Sequence, residues 1–194
     1  MSYPNLSALL EAIVYLAREP VAVDAIRKAL PEVDDKELDE CVAALMEKYQ
    51  SSEHGIEIRE IAGGLRFSTK PEHHDTLKIF LQSQAPVTRL SLAALETLAV
   101  IAYKQPVTIP EIQEIRGVQA SGVIKTLLDK KLVATAGRKE VLGRPILYKT
   151  TKEFLIHFGL NDLSELPSME EFEELIRNQA SSEETVRAEI ELSS

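Results

Sequence analysis

The chain has 194 residues, 44% of them hydrophobic and 27% charged, with a formal net charge of −9. That length holds one large domain or two small ones, and the composition is that of a globular protein. No stretch approaches the roughly 18 consecutive apolar residues of a membrane span. The apolar N-terminal run has no basic region before it and is interrupted by Glu11, so neither a secretory leader nor a membrane partner is expected. The single cysteine permits no internal disulfide and fits a reducing cytoplasm.

Charge is unevenly spread. Residues 1–85 carry a net −6, residues 86–160 a net +5 and residues 161–194 a net −8. An acidic whole argues against sequence-blind DNA binding, which runs on phosphate neutralisation. The basic middle leaves a local nucleic-acid contact open, beside the plainer reading of a solvated surface.

The first candidate unit runs from Leu6 to Lys70. Leu6, Leu9, Leu10, Ile13, Leu16 and Ala17 recur at helical intervals. Glu19-Pro20-Val21 breaks this helix, because proline cannot continue it. Asp24 to Leu30 reads as a short second helix ended by Pro31. Asp35 is a candidate N-cap for a third, with Leu38, Val42, Leu45, Met46 and Tyr49 inward. Cys41 sits among these residues with no base patterned near it, so it reads as a structural thiol. Ile56 to Ile61 alternates at period two, Gly63-Gly64 can supply the positive φ angles of a tight hairpin, and Leu65 to Thr69 returns.

A connecting segment follows, His73 to Arg89, with a short helix expected over Asp75 to Ser83. Its adjacent histidines, His73 and His74, lack a third ligand at metal-binding spacing. The plan then repeats 86 residues on: Leu9 matches Leu95, Pro20 matches Pro106, Val23 matches Ile109 and Ile26 matches Ile112. Leu92, Leu95, Leu98, Ala99 and Ala102 mark a helix that Gln105-Pro106-Val107 breaks. Ile109 to Ile115 is a short second helix with Pro110 tolerated in its first turn. Arg116-Gly117-Val118 turns into a third helix, Ser121 to Lys131. Leu132 to Ala136 and Ile146 to Thr150 read as hairpin strands, and Thr151 can cap a final helix, Lys152 to His157. An offset shared across a break and two helices is stronger than any single helix assignment.

Helix, helix, helix, hairpin is the order of a winged helix-turn-helix module. The fold expected is therefore mainly α with small β-hairpins, in two tandem winged-helix domains. The boundaries are residues 1–72 and 90–167, with a linker at 73–89 and an acidic tail at 168–194. Ser168-Met169-Glu170-Glu171 fits a capping box, so Met169 to Arg177 is expected to be helical and Gln179 to Ser194 polar and mobile.

Motifs for chemistry are missing. No phosphate-cradling G-x-x-x-x-G-K-[ST], no G-x-G-x-x-G, no H-E-x-x-H and no C-x-x-C occurs, so no cofactor and no metal are expected. Paired carboxylates such as Asp34-Asp35 and Glu170-Glu171 lie in surface-like segments with nothing to separate their pKa values. His157, within Phe154 to Phe158, has no partnered nucleophile and reads as a half-buried structural histidine. The chain is expected not to be an enzyme. A small hydrolase is the weakest alternative.

The first helix of the second unit is apolar nearly all round, with Leu95, Leu98 and Ala102 on one side and Val100, Ile101 and Tyr103 on others. Such a helix is either central in a core or covered by a partner, and a unit of about seventy residues has little room to encircle one; cover by the linker or the acidic tail is the alternative. A partner surface is therefore expected at Leu98, Ile101, Tyr103 and the wing residues Arg144 and Tyr148. A DNA reader would instead use Lys125, Arg138 and Lys139. That alternative is a winged-helix transcription regulator.

The segments LSLAALETLAVIAYKQPVT, EIQEIRGV, Gly122-Val123 and GRPILYKTTKEFLIHFGL resemble the segregation and condensation protein B family, ScpB. The likeness is dense from Leu90 to Pro167 and looser before Lys70. One departure is Lys130-Lys131-Leu132, where many members carry a glycine before the leucine. Another is the polar face Gln119-Ala120-Ser121. The resemblance implies a non-enzymatic subunit of the bacterial condensin, cytoplasmic and nucleoid-associated. It implies a homodimer formed chiefly through the N-terminal domain, for which Leu9, Ile13 and Leu16 are the candidate dimer residues. The dimer would grip the kleisin ScpA and reach the SMC ATPase through it, with DNA contact indirect or weak.

Overall fold

The computed structural model describes residues 3–84, 90–168 and 171. The helix expected over 169–177 lies outside these residues apart from Glu171, and the tail from 179 onward lies wholly outside them. The described chain is mostly helical with two small antiparallel sheets. By compactness it divides into Met1–Asp162 and Leu163–Ser194. In the smaller unit, Ser168 N donates to Glu171 Oε2 at 2.7 Å and Glu171 N donates to Ser168 Oγ at 3.2 Å, the reciprocal pair of a capping box.

The first repeat begins with α1 (Leu6–Leu16), α2 (Val23–Ala29) and α3 (Asp35–Gln50), and closes with β1 (Ile56–Ile61) and β2 (Gly64–Thr69). Asn5 caps α1, its Oδ1 accepting from Ala8 N at 3.0 Å. The cap of α3 is Asp34, whose carboxylate accepts from Lys36 N and Glu37 N; the expected Asp35 is instead the first helical residue. Leu10, Val14, Ile26, Leu38, Leu45 and Leu65 centre a core that Leu9, Ile13, Cys41 and Phe67 flank. Each such side chain contributes about 1.5–3 kcal/mol when fully buried. Lys48 to Glu11 (2.9 Å) ties α3 to α1, and Arg27 ties α2 to Asp35 and Asp39 of α3.

The first hairpin turns on Ala62 and Gly63, with φ of 51° and 75°, and Ile61 pairs with Gly64 across them. The expected turn pair Gly63-Gly64 is thus displaced by one. Gly64 has a different duty. A Cβ there would lie 2.7 Å from Pro20 C, because Val21 crosses it to bond Leu65 in both directions, at 2.9 and 2.8 Å. Only glycine admits so close a backbone.

α4 (His74–Gln84) occupies the expected linker. The second repeat follows with α5 (Leu92–Lys104), β3 (Val107–Thr108), α6 (Ile109–Arg116), α7 (Ser121–Asp129), β4 (Val133–Arg138), β5 (Ile146–Thr150) and α8 (Lys152–Phe158). Its sheet has the order β3-β5-β4. α5, α6 and α7 each start 86 residues after α1, α2 and α3. The bridge at Val21 and the strand at Val107 keep the same offset, as do the buried Ile26 and Ile112. α6 carries a full capping box between Thr108 and Glu111 and ends on Gly117 at φ 70°.

The two first helices do not share their core register. α1 buries Leu10 and Val14, whereas α5 buries Leu98 and Ala102, 88 residues on. α5 is two residues longer, and the loop to the next strand is correspondingly shorter. Leu95, matched by sequence to Leu9, is therefore turned outward and exposed.

Candidate partner-binding surface

α5 is the axis of the second repeat. Ala94, Thr97, Leu98, Ile101 and Ala102 are buried along it. Thr97 is a buried polar group whose hydroxyl both donates and accepts. Its Oγ1 donates to Ala93 O at 2.7 Å and accepts from Arg116 Nη1 at 2.7 Å. Arg116, whose side chain is 7% exposed, also bonds Glu96 Oε2 at 2.6 Å, which locks the end of α6 to α5.

This arrangement corrects part of the expected surface. Leu98 is 1% exposed and Ile101 is 0% exposed, so both belong to the core of this chain. The shift of register explains it: an offset of 88 places Ile101 where α1 has Ile13, which packs on its own core. Tyr148 is also core. It sits on the central strand β5, opposite Val107 on one side and Thr135 on the other. Tyr103 is half-buried and Arg144 is exposed, so these two remain available as surface. Among the dimer candidates, Leu9 and Ile13 pack partly on the first core, while Leu16 is 82% exposed beside Tyr15 at 80%.

The second hairpin displays apolar side chains that its sequence did not announce. Between β4 and β5 the chain forms a loop fastened by its own backbone. Lys139 N donates to Pro145 O, Val141 N to Lys139 O and Arg144 N to Val141 O, each at 2.9 Å. Arg138 Nη1 donates to Arg144 O at 2.9 Å, and Gly143 and Arg144 take φ of 85° and 38°. The loop presents Val141 and Leu142, and Leu142 is 104% exposed, as open to water as a leucine in an unfolded chain. The signal in the sequence was two adjacent apolar residues set between Glu140 and Gly143, outside either strand.

The cations considered for DNA are mostly engaged within the chain. Lys139 Nζ lies 2.5 Å from Glu111 Oε1, and Arg138 is tied to the loop backbone. Hydrogen bonds from Lys139, then from the Thr108 hydroxyl and amide, lower the Glu111 carboxyl from 4.5 to about 2. Lys125 is exposed on α7. One lysine on that face gives little base readout.

Two open clefts among the described residues, of about 270 and 200 Å³, are lined by carboxylates, Lys104, Asn161, backbone and apolar groups, without a serine, cysteine or histidine. Among the described residues no group of three His, Cys, Asp or Glu is placed to hold a metal. The Cys41 thiol is pushed up, by burial first and by Glu37 second, which opposes reactivity. His157 is exposed rather than half-buried, its ring 5.2 Å from that of Phe158. His73 lies 3.8 Å from Glu72. No helix among the described residues is long and apolar enough to cross a membrane.

Comparison with known proteins decides the family. The family model described as segregation and condensation complex subunit ScpB matches residues 8–169. The chain belongs to this family. Segregation and condensation protein B of Moorella thermoacetica is 48% identical over 167 residues, 86% of this chain and 84% of that protein. The protein of the same name from Syntrophotalea carbinolica is 43% identical over 93% of this chain and 90% of its own length. The crystal structure of ScpB from Mycobacterium tuberculosis is 31% identical, covering 82% of this chain and 98% of that one, with a TM-score of 0.39. Sequence, not superposed shape, carries the assignment to the ScpB family.

Proposed function

We propose that this chain is a non-enzymatic scaffold of an SMC complex, acting in the cytoplasm at the nucleoid in chromosome condensation and segregation. In this reading the two repeats are tandem winged-helix modules. The first forms a homodimer around the exposed end of α1, at Tyr15 and Leu16, with Leu9 and Ile13 behind them. The second grips a segment of the kleisin ScpA with Tyr103, Arg144 and the tip residues Val141 and Leu142. The kleisin links the dimer to the SMC ATPase, and direct DNA contact is weak or absent.

The observation that carries this reading is the hairpin tip. Leu142 stands fully in solvent beside the half-exposed Val141, on a loop whose four internal hydrogen bonds hold both side chains in place. Covering it with a partner's apolar side chain is the natural use of such a preorganised loop. Family membership names the assembly in which that partner is found.

Native mass spectrometry of the full chain mixed with the central segment of ScpA from the same cell tests the proposal. The expected species holds two copies of this chain and the ScpA segment. Two folded proteins that form no complex would overturn it. Leu142→Asp is expected to weaken the complex at least about tenfold, the effect of losing one apolar anchor, with the circular dichroism of the free chain unchanged.

A further inference from the structure

The tip of the first hairpin does something that its own fold does not require. In a two-residue hairpin the amides of the two turn residues point away from the strands and find no partner within the hairpin. Here both are used. Ala62 N donates to Leu160 O at 2.9 Å, and Gly63 N donates to Asn161 Oδ1 at 2.8 Å, a bond between residues 98 apart in sequence. The acceptors belong to the end of the second repeat. Gly159, at φ 67°, ends α8, and Leu160 N turns back to Leu155 O at 2.9 Å, which aims the Leu160 carbonyl outward. The Arg59 guanidinium of β1 lies beside Gly159, 3.8 Å from where a Cβ would stand.

We infer that this contact is a latch, in which the Ala62-Gly63 turn clasps Leu160 and Asn161 and sets the orientation of the second repeat against the first. The rest of the molecule leaves that task open. Among the described residues no helix or strand of one repeat packs extensively on one of the other. The first core is built from residues no later than Phe67. The latch is polar and reached by solvent, for an open cleft of about 200 Å³ lies beside it, lined by Asp24, Glu60, Gly63 and Asn161 among others. Such a contact competes with water and is modest in strength, so it can open and reclose without either repeat unfolding. It stands apart from the proposed function, because it fixes the spacing of α1 and the second hairpin whichever partner binds.

Two readouts on the full chain test it. The first is amide exchange followed by NMR. With the latch closed, the Ala62 and Gly63 amides exchange at least about tenfold more slowly than free turn amides. Asn161→Ala is expected to restore fast exchange at Gly63, while Asn161→Asp, which keeps an acceptor, retains the protection. The second is the distance distribution between spin labels on Ala44→Cys and Asp129→Cys in a Cys41→Ser background. It is expected to be narrow in the parent and in Asn161→Asp, and about twice as wide in Gly159→Ala/Asn161→Ala, which moves both acceptors. Unprotected Ala62 and Gly63 amides in the parent, or a double variant as narrow as the parent, would each overturn the latch. If the double variant loses its fold, the exchange rate at Gly63 in Asn161→Ala decides alone, since that change touches no core residue.

Discussion

Lys139, in the loop of the second hairpin, and Glu111, in the first turn of α6, form an ion pair that the Thr108 hydroxyl and amide complete on the carboxylate. The pair fastens the hairpin to the helix that follows β3. It also takes from the hairpin a cation that a DNA reader would spend on phosphate.

The pair gives stability a defined pH dependence. The folded Glu111 carboxyl titrates at about 2, against an ordinary value of 4.5. The folded state therefore binds fewer protons than the unfolded chain between these values, and the contribution is complete above pH 4.5 and lost as pH falls towards 2. Glu111→Gln is expected to be less stable than the parent at neutral pH, with the gap closing on acidification. Urea unfolding at a series of pH values measures it. A gap that stays constant down to pH 2 would show that the carboxylate is not held in its charged form.

Ile101 and Leu142 are predicted to behave in opposite ways. Ile101 is fully buried, so Ile101→Ala is expected to cost about 2–5 kcal/mol, and Ile101→Glu to unfold the second repeat. Leu142→Asp is expected to change stability by less than about 0.5 kcal/mol. Thermal melts of the free chain separate the two. An Ile101→Glu chain that melts like the parent would return this residue to the surface.

These two residues also mark where the sequence was and was not legible. The proline breaks at Pro20 and Pro106 act locally, so the repeat and the starts of its helices could be read directly. The buried face of α5 could not. A helix with apolar residues on every side gives no phase: Leu95 was grouped with Leu98 and Ala102 on one side and Ile101 set on another, whereas the fold buries Ile101 and exposes Leu95. β3 is two residues long, too short for a period-two pattern. Val141 and Leu142 escaped because the turn was read from Gly143-Arg144-Pro145 alone. Of the partner candidates on the second repeat, Arg144 lies on its surface, but Leu98, Ile101 and Tyr148 were drawn from its core.

Two glycines are predicted to respond oppositely to alanine. At Gly64 the added methyl meets the backbone of Pro20 and Val21 at 2.7–2.9 Å, and backbone cannot swing aside. Gly64→Ala is expected to cost about 1–3 kcal/mol, the usual toll of overpacking. At Gly122, in the first turn of α7, the methyl meets nothing within 4 Å and φ is not positive. Gly122→Ala is expected to stabilise by about 0.4–1 kcal/mol, by restricting the unfolded chain. Denaturation midpoints at constant slope test both, and equal effects of the same sign would contradict the close crossing at Gly64.

The departure at Lys131 has a structural cost. α7 ends in the pattern that favours glycine: Lys131 N donates to Leu128 O at 2.9 Å, Leu132 N donates to Leu127 O at 3.0 Å, and Lys131 itself sits at φ 58°. A side chain in this left-handed region crowds its own carbonyl, at about 1–2 kcal/mol. The Lys131 carbonyl accepts from the Thr151 hydroxyl at 2.6 Å, so the backbone is held in place from α8 as well. Lys131→Gly removes the strain without removing either backbone bond. It is therefore expected to stabilise the chain by about 0.5–1 kcal/mol, less than the full strain because glycine is also freer when unfolded. Lys131→Val, branched at Cβ, is expected to destabilise. The pair of variants, compared by urea unfolding, tests the conformation directly: if glycine and valine shift stability in the same direction, Lys131 does not occupy the left-handed region in solution.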